Sequence, residues 1–507
     1  MKFFSTLHKI LFSRISVCAV GILFQLTYLI VLFWTLGTMF SYSYFVFLLI
    51  GFCAALYIIN RDISPGYKLI WVFVILSFPV FGCMLYWFYG KKKQQEQLPL
   101  HAEYNSMIDG NDSIYDELLS VNENAAKQAR YICRNGAHTL FTNTKVKYYN
   151  CGEQLFPDLL SELEKAKRFI FLEFFIIDKG IMWDSVLCIL ERKAREGVDV
   201  RVIYDDLGCL MTLPRNYADT LRRKGLKCCV FNPLKPYWSS KLNNRDHRKI
   251  IVIDGYTAFT GGMNLADEYI NVYPKHGYWK DSAVMLKGQA VAGFTSMFLG
   301  MWSHLADISV EADESIYFPD VECISKGYIV PYACYPYVEC SLAENIYINV
   351  LNSAARYVYI TTPYLILDSE LQEALRLAAK NGIDVRMITP HIPDKKAVHA
   401  VTRSYYRALL RSGIRIYEYL PGFIHAKNFI SDDNTAIVGT VNLDFRSLYL
   451  HYECGVWMYG IDSVEEIKND FIKTLDDCKE ISIDDTYEKN VFKRLIWSVI
   501  RIFSPLM

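Results

Sequence analysis

One stretch of this chain is written twice. Gly197-Val-Asp-Val-Arg-Val-Ile203 returns as Gly382-Ile-Asp-Val-Arg-Met-Ile388, and Leu221-Arg-Arg-Lys-Gly-Leu-Lys227 returns as Leu409-Leu-Arg-Ser-Gly-Ile-Arg415. The elements before them repeat as well. Residues 168–177 and 356–364 are apolar, aromatic-rich runs of strand type, and residues 185–196 and 371–380 carry a helical period. A duplication on this scale predicts two α/β halves related by a pseudo-twofold axis. A site on that axis receives equivalent residues from each half.

The same repeat carries the chemistry. The first copy reads His247-Arg-Lys249-Ile-Ile-Val-Ile-Asp254, then Gly261-Gly-Met-Asn264. The second reads His425-Ala-Lys427-Asn-Phe-Ile-Ser-Asp432, then Gly439-Thr-Val-Asn442. One HxK with a downstream Asp is common by chance, but two copies with five positions in register are not. His and Lys two apart on a strand face the same side. An imidazole beside an ammonium suits a phosphate: Lys249 and Lys427 neutralise its oxygens, while His247 and His425 attack phosphorus or move protons. Asn264 and Asn442 follow glycines that let an amide approach the same oxygens. Asp254 and Asp432 complete the catalytic motif, yet their odd spacing from the histidine points them away and predicts a structural job. A ring used for attack also needs a carboxylate on its second nitrogen. Asp281 and Glu453 are the candidates, and Asp281 is assigned to His247. The other histidines, at 8, 101, 138, 276, 304, 391, 399 and 451, share no repeat register and read as surface or packing residues.

The 507 residues carry 54 basic and 54 acidic side chains, and this balance argues against a dedicated nucleic-acid binder. The fourteen cysteines show no CxxC, and no Cys/His or carboxylate/His cluster has metal spacing, so neither a metal nor a cofactor is expected. Unpatterned thiols fit a reducing compartment. Residues 15–60 contain no charged side chain and no histidine, more than the roughly 20 residues one span needs. Transmembrane helices are predicted at 15–36, 42–59 and 69–89, within a membrane module of residues 1–93. Lys91, Lys92 and Lys93 abut the third span and place the α/β halves on the cytoplasmic face of the cell membrane. Lys2, Lys9 and Arg14 argue the same for the N-terminus. Three spans cannot satisfy both, and the triplet that touches its span decides. The first half is expected at 94–325 and the second at 326–485. The tail, 486–507, has the pattern of a basic amphipathic helix on an anionic bilayer.

The paired HxKxxxxD motifs resemble the phospholipase D superfamily, and in detail its bacterial cardiolipin synthases. Asn243-Asn-Arg-Asp-His-Arg-Lys249, Gly261-Gly-Met-Asn-Leu-Ala-Asp-Glu-Tyr269 and Asn442-Leu-Asp-Phe-Arg-Ser447 are similar to that family's site segments. Asn60-Arg-Asp-Ile-Ser-Pro-Gly-Tyr-Lys-Leu-Ile-Trp71 is similar to its membrane module, and Ser504-Pro-Leu-Met507 to its ending. The apolar run 15–36 is extra, since many members have two spans. The resemblance implies two phospholipase D-like α/β sandwich halves behind N-terminal transmembrane helices. It also implies phosphatidyl transfer between two phosphatidylglycerols, giving cardiolipin and glycerol through a phosphohistidine. His247 would be the nucleophile. A membrane-bound phospholipase D-type hydrolase, another phosphatidyltransferase and an inactive membrane scaffold are the competing readings.

Overall fold

Runs of β-branched and aromatic residues closed by turns become strands, and the amphipathic runs between them become helices. The structure, a computed structural model, describes residues 27, 31, 38–61, 65–90, 112–136, 138–233, 243–306, 316–320, 323–336, 341–487 and 500–501. The chain divides into two units: residues 1–95, 234–243 and 498–507, and residues 96–233 and 244–497.

The larger unit holds two mixed sheets. The first half supplies β1 (Thr144–Tyr149), β2 (Phe169–Phe174), β3 (Asp199–Asp205), β4 (Lys227–Phe231), β5 (Lys249–Ile253), β6 (Thr257–Gly261), the short β7 (Tyr278–Lys280) and β8 (Ala283–Gly288). The second supplies β9 (Tyr328–Cys334), β10 (Tyr357–Thr361), β11 (Asp384–Pro390), β12 (Arg415–Tyr419), the short β13 (Gly422–Ile424), β14 (Asn428–Ser431), β15 (Thr435–Gly439), β16 (Glu453–Tyr459) and β17 (Cys478–Glu480). One sheet runs β1-β8-β6-β5-β2-β3-β4. The other runs β9-β16-β15-β14-β10-β11-β12, with β17 added at the edge. Strand for strand the orders are the same, so the sequence duplication is a duplication of topology. The predicted strand–helix–strand units appear as β2, helix Ile181–Arg195 and β3, and as β10, helix Ser369–Lys380 and β11. In both halves the two strands pair in parallel.

Facing sides of the two sheets share one apolar core. Phe171, Ile250 and Val284 come from the first half, Ile430, Val438 and Val456 from the second, with helix Val291–Ala306 between them in sequence. A second core lies under helices Gly152–Lys165 and Ile181–Arg195 of the first half.

The smaller unit departs from the predicted spans. Residues 15–36 lie outside the described residues except 27 and 31. Helix Thr38–Ile59 covers the second predicted span. The third, 69–89, is broken into Pro65–Ser77, Pro79–Leu85 and Tyr86–Gly90. Pro79, which cannot continue a helix through its missing N–H, opens the second piece after Phe78 leaves helical geometry at φ −139°. Among the described residues no helix is long and apolar enough to cross a membrane. Ile58, Ile70, Trp71, Ile75 and Tyr86 form this unit's own core. The Lys91–Lys93 triplet and the amphipathic tail, apart from residues 486, 487, 500 and 501, also lie outside the described residues.

Candidate active site

The two motifs meet because each half lends the other a strand partner. The His247 N–H donates to the carbonyl of Tyr452 at 2.9 Å, and the His425 N–H donates to the carbonyl of Lys280 at 2.7 Å. Around these bonds Asp246 bridges Tyr452 in parallel, and β13 pairs in parallel with β7. The next residue after each accepting carbonyl is a carboxylate. Glu453 therefore sits on His247, its oxygens 2.9 and 3.0 Å from Nδ1, and Asp281 sits on His425, 2.7 Å from Nδ1. The assignment of Asp281 to His247 is thus corrected. Each histidine takes its carboxylate from the opposite half, since the backbone pairing that delivers it crosses between halves.

The motif glycines follow from the same geometry. A Cβ on Gly261 would stand 2.4 Å from the carbonyl oxygen of Ser282, and one on Gly439 would stand 2.5 Å from that of Cys454. Those carbonyls belong to the residues directly after the two carboxylates. Only glycine lets β6 and β15 lie close enough to hold Asp281 and Glu453 in place.

The histidines do not sit within their strands. β5 begins at Lys249 and β14 at Asn428, so both rings stand on the lead-in. Lys249 donates from Nζ to the His247 carbonyl at 2.6 Å, and Lys427 donates in the same way to the His425 carbonyl. All four side chains are buried. Burial sets their proton affinities. It pushes His247 down to about 3 and His425 down to about 4, outweighing the carboxylates that favour their charged forms. It lowers Lys249 to about 8 and Lys427 to about 7. Burial alone raises Glu453 and Asp281. His247 and His451 hold Glu453 below the usual carboxylate range, and His425 with Lys427 does the same for Asp281. Both rings are therefore neutral near pH 7, with a carboxylate on Nδ1 that fixes the proton there and leaves Nε2 a lone pair.

Asp254 and Asp432 are not brought to this site. Asp254 accepts from the backbone N–H groups of Lys167, Arg168 and Phe169 at 2.7–2.9 Å. Asp432 accepts from Ala355, Arg356 and Tyr357 at 2.6–3.0 Å. Both occupy left-handed turns, φ +54° and +55°, and tie the start of β2 or β10 to the far end of the motif strand. Motif membership as catalytic residues is corrected accordingly: their reach is structural. Asn264 accepts from Ile176 N–H at 3.0 Å and donates to the Tyr269 hydroxyl at 2.6 Å, while Asn442 is buried and its Oδ1 has no hydrogen-bond partner among the described residues.

The sequence alone assigned several neighbours no individual role. The Thr440 hydroxyl donates to Glu453. Arg248 is buried between Glu173 and Asp246, and Arg245 pairs with Asp205 at 3.3 Å, anchoring the His247 lead-in. The His425 ring is enclosed by Trp279, Tyr269 and Phe423, with centroids 5.5–5.8 Å away. His247 faces Phe175 at 5.1 Å and His451 at 5.7 Å. His451, read from sequence as a packing or surface residue, is therefore at the site. Its Nδ1 lies 3.8 Å from Glu453. The expectation that no carboxylate/His cluster exists at metal spacing is corrected too: His247, His451 and Glu453 bring ligand atoms within 4.8 Å of one another. Sequence spacing missed it because Tyr452 pairs with a segment of the other half.

Comparison with known proteins bears on the family and the fold. A family model described as "Cardiolipin synthase, PLD-like domain" matches residues 159–302 and 347–475, and "Phospholipase_D-nuclease N-terminal" matches 50–91. A Streptococcus mutans protein named as uncharacterized is 43% identical over 90% of this chain and 99% of its own length. "Cardiolipin synthase 2" of Bacillus anthracis is 32% identical over 87% of each chain, and "Cardiolipin synthase" of a Geobacillus species is 32% identical over 88% of this chain and 89% of its own. The solved phosphatidylserine synthase of Haemophilus influenzae shares the fold, with a TM-score of 0.57 at 15% identity, covering 75% of this chain and 97% of that one. Two HxK motifs in matching sheets, the family match over both halves and relatives spanning most of the chain together establish that this protein belongs to the phospholipase D-like cardiolipin synthase family.

Proposed function

We propose that the chain is a membrane-bound cardiolipin synthase, a phosphatidyltransferase that joins two phosphatidylglycerols and releases glycerol. The observation that carries this is the convergence of two neutral, carboxylate-held imidazoles and two buried lysines. One histidine attacks phosphorus through Nε2, forming a P–N bond as the P–O bond to glycerol breaks. The other gives the departing glycerol its proton. It then takes the proton from the headgroup hydroxyl of the second phosphatidylglycerol, which displaces the histidine. The ring acting as acid must first gain a proton, and the bound phosphodiester anion supplies the counter-charge that favours it. Lys249 and Lys427 offset charge on the non-bridging oxygens, with Asn264 and Asn442 as further phosphate-facing candidates. Two in-line displacements retain configuration at phosphorus.

His247 is assigned as the nucleophile, by resemblance to the superfamily. The aromatic enclosure of His425 supports the converse role there, since an apolar surround disfavours a lasting imidazolium and so favours proton delivery. Matching strand orders support a pseudo-twofold pair of halves at 94–325 and 326–485. The match at 50–91 and the outward apolar side chains of helix Thr38–Ile59, among them Phe45, Leu49, Phe52 and Leu56, support a multi-pass membrane module within 1–93. The Lys91–Lys93 triplet supports a catalytic unit on the cytoplasmic face, and the basic amphipathic pattern of 486–507 supports a tail on anionic lipid.

The test is product analysis with the full-length protein and labelled phosphatidylglycerol vesicles. Cardiolipin and glycerol in equal amounts support transfer. Phosphatidic acid without cardiolipin would make the chain a hydrolase. Alkaline quenching and peptide mapping of the phosphohistidine assigns the nucleophile.

A further inference from the structure

His451 has no part in the mechanism above, and its surroundings are unusual. It is almost fully enclosed, its side chain 11% exposed, yet neither ring nitrogen has a hydrogen-bond partner among the described residues. An imidazole so enclosed normally finds one, because a polar group cut off from water and left unpaired is destabilising. The ring lies beside His247, and its Nδ1 is 3.8 Å from Glu453 Oε1, too long for a hydrogen bond but within the span of two ligands on one ion. One donor atom from each of His247, His451 and Glu453 falls within 4.8 Å of the others.

We propose that His247, His451 and Glu453 form a binding site for a zinc-class transition-metal ion, and that its occupancy switches the enzyme off. Two imidazoles and one carboxylate are a donor set for Zn²⁺ rather than for Mg²⁺ or Ca²⁺, which take oxygen ligands. Three protein ligands leave a position open for water or a lipid phosphate. Glu453 holds the Nδ1 side of the His247 ring, so an ion shared by the two takes Nδ1. A metal on Nδ1 displaces the proton shared with Glu453, so the neutral ring carries its proton on Nε2 and loses the lone pair there. Among the described residues the matching histidine, His425, has no such site. The position matching His451, two before the carboxylate Asp281, is Trp279, which offers no ligand. The switch is therefore confined to one of the two otherwise equivalent histidines.

The binding part stands by itself, whereas the inhibition part rests on the transferase reading, so the test has two arms. In the first, the full-length protein in detergent micelles is titrated with Zn²⁺ against a chromophoric chelator, and with Co²⁺ followed by absorption. Twelve free thiols among the described residues also bind such ions, so the comparison is with His451→Asn. Wild type is expected to hold one ion that the variant lacks, with Co²⁺ bands free of thiolate charge transfer. In the second arm cardiolipin formation is measured with Zn²⁺, Mg²⁺ or Ca²⁺ at equal concentration. Zn²⁺ alone should inhibit, and the midpoint should rise at least about tenfold in His451→Asn, since losing even an outer partner of a metal ligand costs about 10–100-fold in affinity. Equal Zn²⁺ stoichiometry in the two proteins, or equal inhibition by Mg²⁺, would overturn the proposal. Absence of cardiolipin synthesis with Zn²⁺ binding intact would overturn the transferase reading and leave the site standing. An inactive but folded His451→Asn is still decided by the binding arm.

Discussion

Replacing Lys427 by Met is expected to abolish turnover and yet stabilise the protein at neutral pH. The ammonium lies inside the larger unit, where burial lowers it from 10.5 to about 7. At about 1.4 kcal/mol per pKa unit, keeping it there at pH 7 costs the fold about 4 kcal/mol relative to a lysine in water. Methionine is of similar length and carries no charge. It forfeits the bond to the His425 carbonyl, leaving a buried acceptor short of a partner for about 1–3 kcal/mol. The net gain at pH 7 is thus about 1–3 kcal/mol. Its pH dependence has a definite sign. The unfolded chain keeps the Lys427 proton up to about pH 10 and the folded chain only to about 7, so wild-type stability climbs with pH across that window. The variant lacks this climb. Its advantage should shrink by about 1.4 kcal/mol per pH unit and reverse before about pH 10, where only the lost hydrogen bond remains. Denaturant midpoints of the full-length protein in detergent at pH 7, 8 and 9, followed by tryptophan fluorescence, measure the gap. A gap that does not change with pH, or a variant less stable than wild type at pH 7, would refute the account of Lys427 as a strained buried cation.

Four further outcomes are expected. His247→Asn and His425→Asn should each abolish cardiolipin formation at normal protein level, since the rings do different jobs; substantial turnover by either removes the two-histidine mechanism. Glu453→Gln and Asp281→Asn should each lower kcat by about 10²–10⁴, as when a ring is left in the wrong tautomer; imidazole NMR should show the His247 resonance moving in the first and the His425 resonance in the second, and the reverse pattern would uncross the pairs. Asp254→Asn should cost about 1–2 kcal/mol through weakened charge-assisted bonds while the folded enzyme keeps its kcat, and a large kcat loss would return Asp254 to the catalytic set. Activity should survive EDTA, and kcat/KM should fall as pH rises through about 7 to 8, where Lys427 and Lys249 lose their charge in the free enzyme; a rise over that range would contradict the role of the lysines.

Local sequence determined the elements and the list of reacting groups. The repeats at 197–203 and 382–388 predicted matched β3 and β11, and the sheets around them share one strand order because each half repeats the same apolar patterning. The His247–Lys249 and His425–Lys427 pairs were legible as one repeated spacing, although both rings stand on the lead-in to β5 and β14 and not in the strand that the same-face rule assumes. The odd spacing of Asp254 and Asp432 pointed to a structural job by the same geometry. What only the tertiary structure decided is who meets whom. Asp281 lies 34 residues after His247, and Glu453 lies 28 after His425, so distance along the chain favours pairing within each half. The hydrogen bonds from His247 to Tyr452 and from His425 to Lys280 instead carry each carboxylate across. Those bonds depend on segments 205 and 145 residues apart finding the right register, and no local pattern encodes such a pairing. His451 joined the site for the same reason. Its neighbours in sequence say nothing of His247, and its place is set by the backbone of Tyr452 being held against the opposite motif.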